Sequence, residues 1–141
     1  MAVRWGKLAL VGVYCSPNED APRVARLLEE MGDLVSGLPS SRAIIAGDFN
    51  AKSRAWGSPV ESPRGRLVVE WAAETGLVAC NDTLRPVDTC VRHNGGSIVD
   101  ITFATPQVAR AIQGWRVLVG VETLSDHRYV RFDVSPPRSP P

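Results

Sequence analysis

A chain of 141 residues with 44% hydrophobic side chains has the size of one domain and enough apolar material for a continuous core. Its formal charge of +1 excludes a globally basic nucleic-acid binder, so any phosphate recognition must rest on local arginines, and no run of about eighteen apolar residues is present to span a bilayer. Three cysteines, Cys15, Cys80 and Cys90, are an odd set at spacings that match no zinc or disulfide framework, and they are expected to be reduced, mostly buried thiols of an intracellular protein.

Met1 to Lys7 followed by Leu8 to Tyr14 has the outline of a short signal peptide, a basic head before an apolar centre. The polar continuation from Ser16 to Asp20 offers no cleavage pattern, and Leu8 to Tyr14 is read as a strand ended by Ser16-Pro17-Asn18. Asp20 is a good N-cap with Pro22 in the first turn, and Val24, Leu27, Leu28, Met31, Leu34 and Val35 follow at helical spacing. Ala43 to Ala46 has the uninterrupted apolar character of a strand buried on both faces, and it runs into Gly47-Asp-Phe-Asn50. A polar loop from Lys52 to Gly65 leads to a second helix carrying Leu67, Val68, Trp71 and Ala72, stopped by Gly76. Further strands are expected at Leu77 to Cys80, Asp88 to Arg92, Ser97 to Ala104, Trp115 to Val121 and Tyr129 to Val134, with a helical turn after Pro106. The proline-rich segment 135–141 cannot join a sheet and is expected to be disordered or a linker. Strands outnumber helices, which suggests a mixed α/β sheet assembly covered by helices.

Three clusters carry candidate chemistry. Asp48 and Asn50 leave the end of a hydrophobic strand two residues apart, so continued extended geometry would point both into one cleft; an ordinary turn is the alternative. Asp100 shares one strand face with Ile98 and Thr102, between apolar neighbours, and a carboxylate there needs a cation, a metal or several donors. Ser125-Asp126-His127 supplies a partner: an imidazole held by Asp100 would have its tautomer fixed and could donate to a phosphate oxygen. The only other histidine, His93, lies in a polar loop.

Gly47-Asp-Phe-Asn50, Ser97-Ile-Val-Asp-Ile-Thr-Phe103 and Ser125-Asp-His127, in this order, resemble the motifs of the endonuclease/exonuclease/phosphatase superfamily. Within it, Asp48 to Gly57, Arg64-Gly65, Gly76-Leu77 with Asn81, and Val13-Tyr-Cys-Ser-Pro17 are similar to the endonuclease domains of non-LTR retrotransposons. The resemblance implies an α/β fold, part of a four-layer α/β/β/α sandwich, with residues 1–134 forming a partial domain. It implies that Asp48 activates or orients the attacking water, that Asn50 and Tyr14 approach the scissile phosphate, and that His127 stabilises its charge. Asp100 would orient His127, and Asp126 would contribute to a divalent metal site holding Mg2+, with Mn2+ as an alternative. Phosphodiester hydrolysis suits such a set, because water is aligned and charge on phosphate is neutralised. The loop from Lys52 to Arg66 is the candidate DNA contact: Arg54, Arg64 and Arg66 would bind phosphates, and Trp56 would either stack on a base or pack on the core edge.

Family members also carry an earlier block with an asparagine and a glutamate metal ligand, and neither motif is present here. The expected partners are therefore DNA and either a missing N-terminal segment or the downstream reverse transcriptase of a longer polyprotein, in the nucleus for the parent element. Weak magnesium binding follows from one lost carboxylate. The rival expectations are an inactive remnant with weak nucleic-acid binding and another phosphodiesterase or phosphatase of the superfamily.

Overall fold

The first helix, α1 (Ala21–Ser36), begins where the sequence places it: the Asp20 carboxylate accepts from the Arg23 amide at 3.0 Å, and Val24, Leu28, Met31 and Val35 form its buried stripe. The computed structural model describes residues 1–135, so the expectations for the rest of the proline-rich tail lie outside the described residues. Before α1 come β1 (Ala2–Trp5) and β2 (Leu8–Tyr14). After it follow β3 (Ala43–Asp48), a 3-10 turn at Arg54–Trp56, and α2 (Pro63–Thr75), which is capped by the Ser62 hydroxyl and stopped by left-handed Gly76. The remainder is β4 (Val78–Ala79), β5 (Cys90–Arg92), β6 (Gly95–Ser97), β7 (Asp100–Ala104), α3 (Pro106–Ala111), β8 (Ile112–Val117) and β9 (Val130–Val134).

β1, β2, β3, β7 and β4 form one five-stranded mixed sheet in that order, with β2 and β3 parallel around α1 and the other pairs antiparallel. Strand alternation divides this sheet into two faces. Ala9, Val11, Ala43, Ile45, Ile101 and Phe103 pack with the buried sides of α1 and α2 in the main core. Leu8, Leu10, Ile44, Ala46 and Ala104 face the other way and meet Ile112, Phe132 and Val134 of the separate β8–β9 hairpin. A helical layer, a large sheet and the start of a second sheet are therefore stacked in the α/β arrangement the sequence implies.

The boundaries differ in informative places. β1 was not expected; it exists because Gly6, at φ 61°, lets the chain fold back so that Ala2 to Trp5 pair with Leu8 to Val11. The single strand expected over Ser97 to Ala104 is two, because Gly95–Ser97 pairs back onto β5 whereas Asp100–Ala104 joins β3. The strand expected at Trp115 begins earlier, at Ile112, directly from the end of α3. The three cysteines are free, with Cys15 and Cys90 buried and the half-buried Cys80 thiol pushed up to about 11 by desolvation.

Candidate active site

Register builds the centre of the site. Tyr14 at the end of β2 lies opposite Asp48 of β3, and Asp48 lies opposite Asp100 of β7. Paired residues share a face, so the three side chains stand in a row at one end of the sheet, on the side facing away from the helices. Asp48 is reached through Gly47, whose φ of 151° is open to glycine and whose added Cβ would overlap the Val13 carbonyl.

Beyond Asp48 the strand ends. Phe49 is buried at 1% exposure, its amide donating to the Val99 carbonyl, and Asn50 turns into the left-handed region at φ 47°. Continued extension was the expectation here. Instead the Asn50 amide donates to Asp48 Oδ1 at 2.8 Å and its Nδ2 to the Cys15 carbonyl at 2.8 Å, so Asn50 closes the turn that presents Asp48.

His127 arrives over this row from the loop between β8 and β9. Its segment is bonded to the β5 region on both sides, from the Val91 amide to the Asp126 carbonyl and from the Arg128 amide to the Thr89 carbonyl, each 2.8 Å. Thr123 Oγ1 donates to the His127 carbonyl at 2.7 Å, and the His127 amide donates to Ser125 Oγ. The imidazole is thereby placed between two carboxylates, with Nδ1 2.8 Å from Asp100 Oδ2 and Nε2 3.4 Å from Asp48 Oδ2. A carboxylate accepts, so Nδ1 carries the proton toward Asp100. A second proton on Nε2 would give an imidazolium facing both acids.

Desolvation raises the Asp48 carboxyl above the ordinary aspartate range. The Asn50 amide opposes that rise, the nearby Asp100 charge adds to it, and His127 and Arg64 lower it. Between the ordinary and the raised value the folded protein holds a proton that the unfolded chain has lost, so this group makes stability fall as pH rises through that window. Asp48→Asn is therefore expected to raise Tm at pH 7, and thermal melts should show the gain vanish in acid where both states are protonated.

The other candidate residues separate into two groups. Arg54 and Arg66 are exposed and free to reach a ligand, and Tyr14 is 70% exposed at the end of the row. Arg64 and Asp126 depart from their expected placements, and Trp56 takes the core packing that was the alternative to base stacking. Trp56 is 1% exposed, packs edge-on against Phe103 and donates from Nε1 to the Ala51 carbonyl, so it fills the core and cannot stack on a base. The Arg64 guanidinium is spent on backbone, donating at 2.9 Å to the carbonyls of both Ser16 and Glu19, and it ties α2 to the loop before α1. Asp126 points out to solvent and pairs with Arg92 Nε at 3.4 Å, apart from the other acids.

Two residues that the sequence reading gave no role in the site hold its frame. Thr89, fully buried, accepts the Val99 and Asp100 amides on Oγ1 at 3.1 Å each. Asn81 bonds the far edge of β7. Asn81 belongs to a motif that carries the family resemblance but suggested no role in the site, and nothing in the sequence marked Thr89.

Among the described residues, Asp48, Asp100 and His127 are the group of acids and histidine whose donor atoms gather closely enough for a metal ion, all within 4.8 Å of one another. Two carboxylate oxygens suit magnesium or manganese, which bind few protein ligands and retain waters, and an imidazole is a better ligand for manganese. The donor set fits a divalent cation, and no glutamate joins it among the described residues.

Comparison with known proteins gives a consistent family. Residues 8–131 match the family described as endonuclease-reverse transcriptase. The fold superimposes on the endonuclease domain of TRAS1, a telomere-specific non-LTR retrotransposon, with a TM-score of 0.83 and 30% identity, over 95% of this chain and 59% of that one. A 3′ phosphatase from Neisseria, solved with a product DNA hairpin, is similar in fold, with a TM-score of 0.74 and 20% identity, over 95% of this chain and 63% of that one. A probable RNA-directed DNA polymerase from transposon BS of Drosophila melanogaster is 32% identical over 76 residues, 54% of this chain and 8% of its own length. The chain thus spans only part of the relatives it matches.

Proposed function

Since the chain belongs to the endonuclease-reverse transcriptase family, we propose that it forms the catalytic end of a DNA-nicking endonuclease domain. The observation that carries this reading is the imidazole of His127 held between Asp100 at 2.8 Å and Asp48 at 3.4 Å, at the open end of one strand row.

In this reading Asp48 accepts a proton from the attacking water. Its raised affinity for protons brings it nearer to a working base than an ordinary aspartate. As the water oxygen bonds to phosphorus, the bond from phosphorus to the leaving oxygen breaks. Charge builds on the phosphate oxygens, and His127, fixed by Asp100, donates to one of them from Nε2. Asp48 and Asp100 would hold a divalent cation, which supplies Lewis acidity at the phosphate when bound. Asn50 keeps the turn that aims Asp48, and exposed Tyr14 lies where the phosphate would approach.

DNA is held chiefly through its backbone. With Trp56 and Arg64 committed to the fold, Arg54 of the 3-10 turn and Arg66 of α2 are the remaining phosphate-binding candidates. Replacing both by alanine is expected to weaken binding and to reduce the slope of log affinity against log salt by about 2, since each phosphate contact contributes about 0.9. Fluorescence anisotropy over a salt series measures both, and an unchanged slope would move the contact surface elsewhere.

The test of the reaction is conversion of supercoiled plasmid to open circles, run on the chain alone and on a fusion that supplies the remainder of a non-LTR endonuclease domain. Nicking that requires Mg2+ and stops with a chelator supports the reading. Nicking insensitive to the chelator overturns it. The rival, a remnant that binds nucleic acid without cutting it, is favoured by the small donor set and predicts no nicking by either protein.

A further inference from the structure

The edge of β7 opposite β3 is only partly covered. β4 supplies two residues, Val78 and Ala79, opposite Ala104 and Phe103, and the Cys80 amide adds one bond to the Thr102 carbonyl at 2.8 Å. The chain then bends away, which would leave the Asp100 end of the strand without a neighbour, although a buried backbone group without a partner costs about 1–3 kcal/mol.

The Asn81 side chain fills that gap. Its Nδ2 donates to the Asp100 carbonyl at 3.0 Å, and its Oδ1 accepts the Thr102 amide at 2.9 Å. These are the two bonds that a further residue of a neighbouring strand would make, and Asn81 is 7% exposed. From the β5 side Thr89 Oγ1 holds the Asp100 amide. The backbone of Asp100 is therefore gripped at its N–H by one side chain and at its carbonyl by another, and its carboxylate leaves this fixed point to reach His127 Nδ1.

We propose that Asn81 is a positioning residue for His127, acting through Asp100: by completing the β7 edge it fixes where the Asp100 carboxylate stands and hence which imidazole nitrogen bears the proton. It touches neither the reacting atoms nor DNA. The inference deepens the endonuclease reading and rests on it for its functional meaning, but its test reads the imidazole directly and needs no cleavage.

The experiment uses the full chain labelled with 15N-histidine, free of metal, at a pH where the imidazole is neutral. Ring 15N shifts distinguish a protonated nitrogen from a bare one. Wild type is expected to show the proton on Nδ1 of His127. Asn81→Ala removes both bonds, and Asn81→Asp keeps the shape and the acceptor for Thr102 but sets a carboxylate oxygen against the Asp100 carbonyl. Each is expected to convert a single Nδ1–H form into a mixture with a substantial Nε2–H share. Val108→Ala, a core truncation on α3 that leaves Asp100 untouched, is expected to lower Tm without moving the ring shifts. If the alanine variant does not fold, the aspartate variant decides. Wild-type ring shifts in a folded Asn81 variant overturn the proposal, as does an equal change in Val108→Ala. Failure of the endonuclease reading would look different, with the tautomer change intact and no nicking by the wild type.

Discussion

Asp48→Ala is expected to slow strand cleavage by about a hundredfold or more, the scale of losing a group that takes a proton in the transition state. Three properties of Asp48 converge on that expectation. It stands between Tyr14 and Asp100 in the strand row, it faces His127 Nε2, and burial holds its carboxyl above the ordinary range. The same burial makes the charge costly to the fold, so Asp48→Asn, which keeps the oxygen that accepts the Asn50 amide, should lose activity without losing stability at neutral pH. Single-turnover nicking beside a thermal melt separates the two effects. A large loss of activity accompanied by an equally large fall in Tm would point to a damaged fold instead of a lost base.

Trp56→Ala carries the largest expected loss of stability, about 3–5 kcal/mol, as for a large aromatic removed from a well-packed interior. Trp56 packs edge-on against Phe103, 6.1 Å away, and Phe103 is the centre of an aromatic group, 5.5 Å from Phe49 and 5.6 Å from Trp71. Phe49 follows Asp48 directly, so the cavity would open beneath the active-site turn. Urea denaturation should show the lowered midpoint, while DNA affinity corrected for the folded fraction should stay unchanged. A loss of affinity without loss of stability would return Trp56 to the DNA surface.

The convergence of Asp48, Asp100 and His127 was legible because it depends on simple rules. An apolar strand ending in an aspartate places that acid at a sheet end, and alternation in β7 separates Asp100 from the core-facing Ile101 and Phe103. What could not be read is where a side chain turns once regular structure stops. Trp56 lies in a polar loop by sequence, yet the 3-10 turn at Arg54–Trp56, closed by Gly57 at φ 98°, folds it beneath the chain. Arg64 belongs by sequence to a basic cluster, but its place in the first turn of α2 brings it among the carbonyls of Ser16, Pro17 and Glu19. Asp126 sits in the bend just before His127, which forms a single bridge to Cys90, and from there its side chain turns outward to Arg92. The family motif singles out Asn81 without saying what it does, and the roles of Asn81 and Thr89 arise from long-range bonds to β7 that local sequence does not reveal.

The assignment of hydrolysis to this row of residues is tested most directly by plasmid nicking with His127→Ala beside the wild type, in the fusion that supplies the rest of an endonuclease domain, at saturating Mg2+. His127 bridges both acids, so its loss removes the donor to the phosphate while leaving the carboxylates for the metal. The wild type is expected to form open circles and His127→Ala to do so at least about a hundredfold more slowly. Equal rates for the two proteins would contradict the account and place the chemistry at another site.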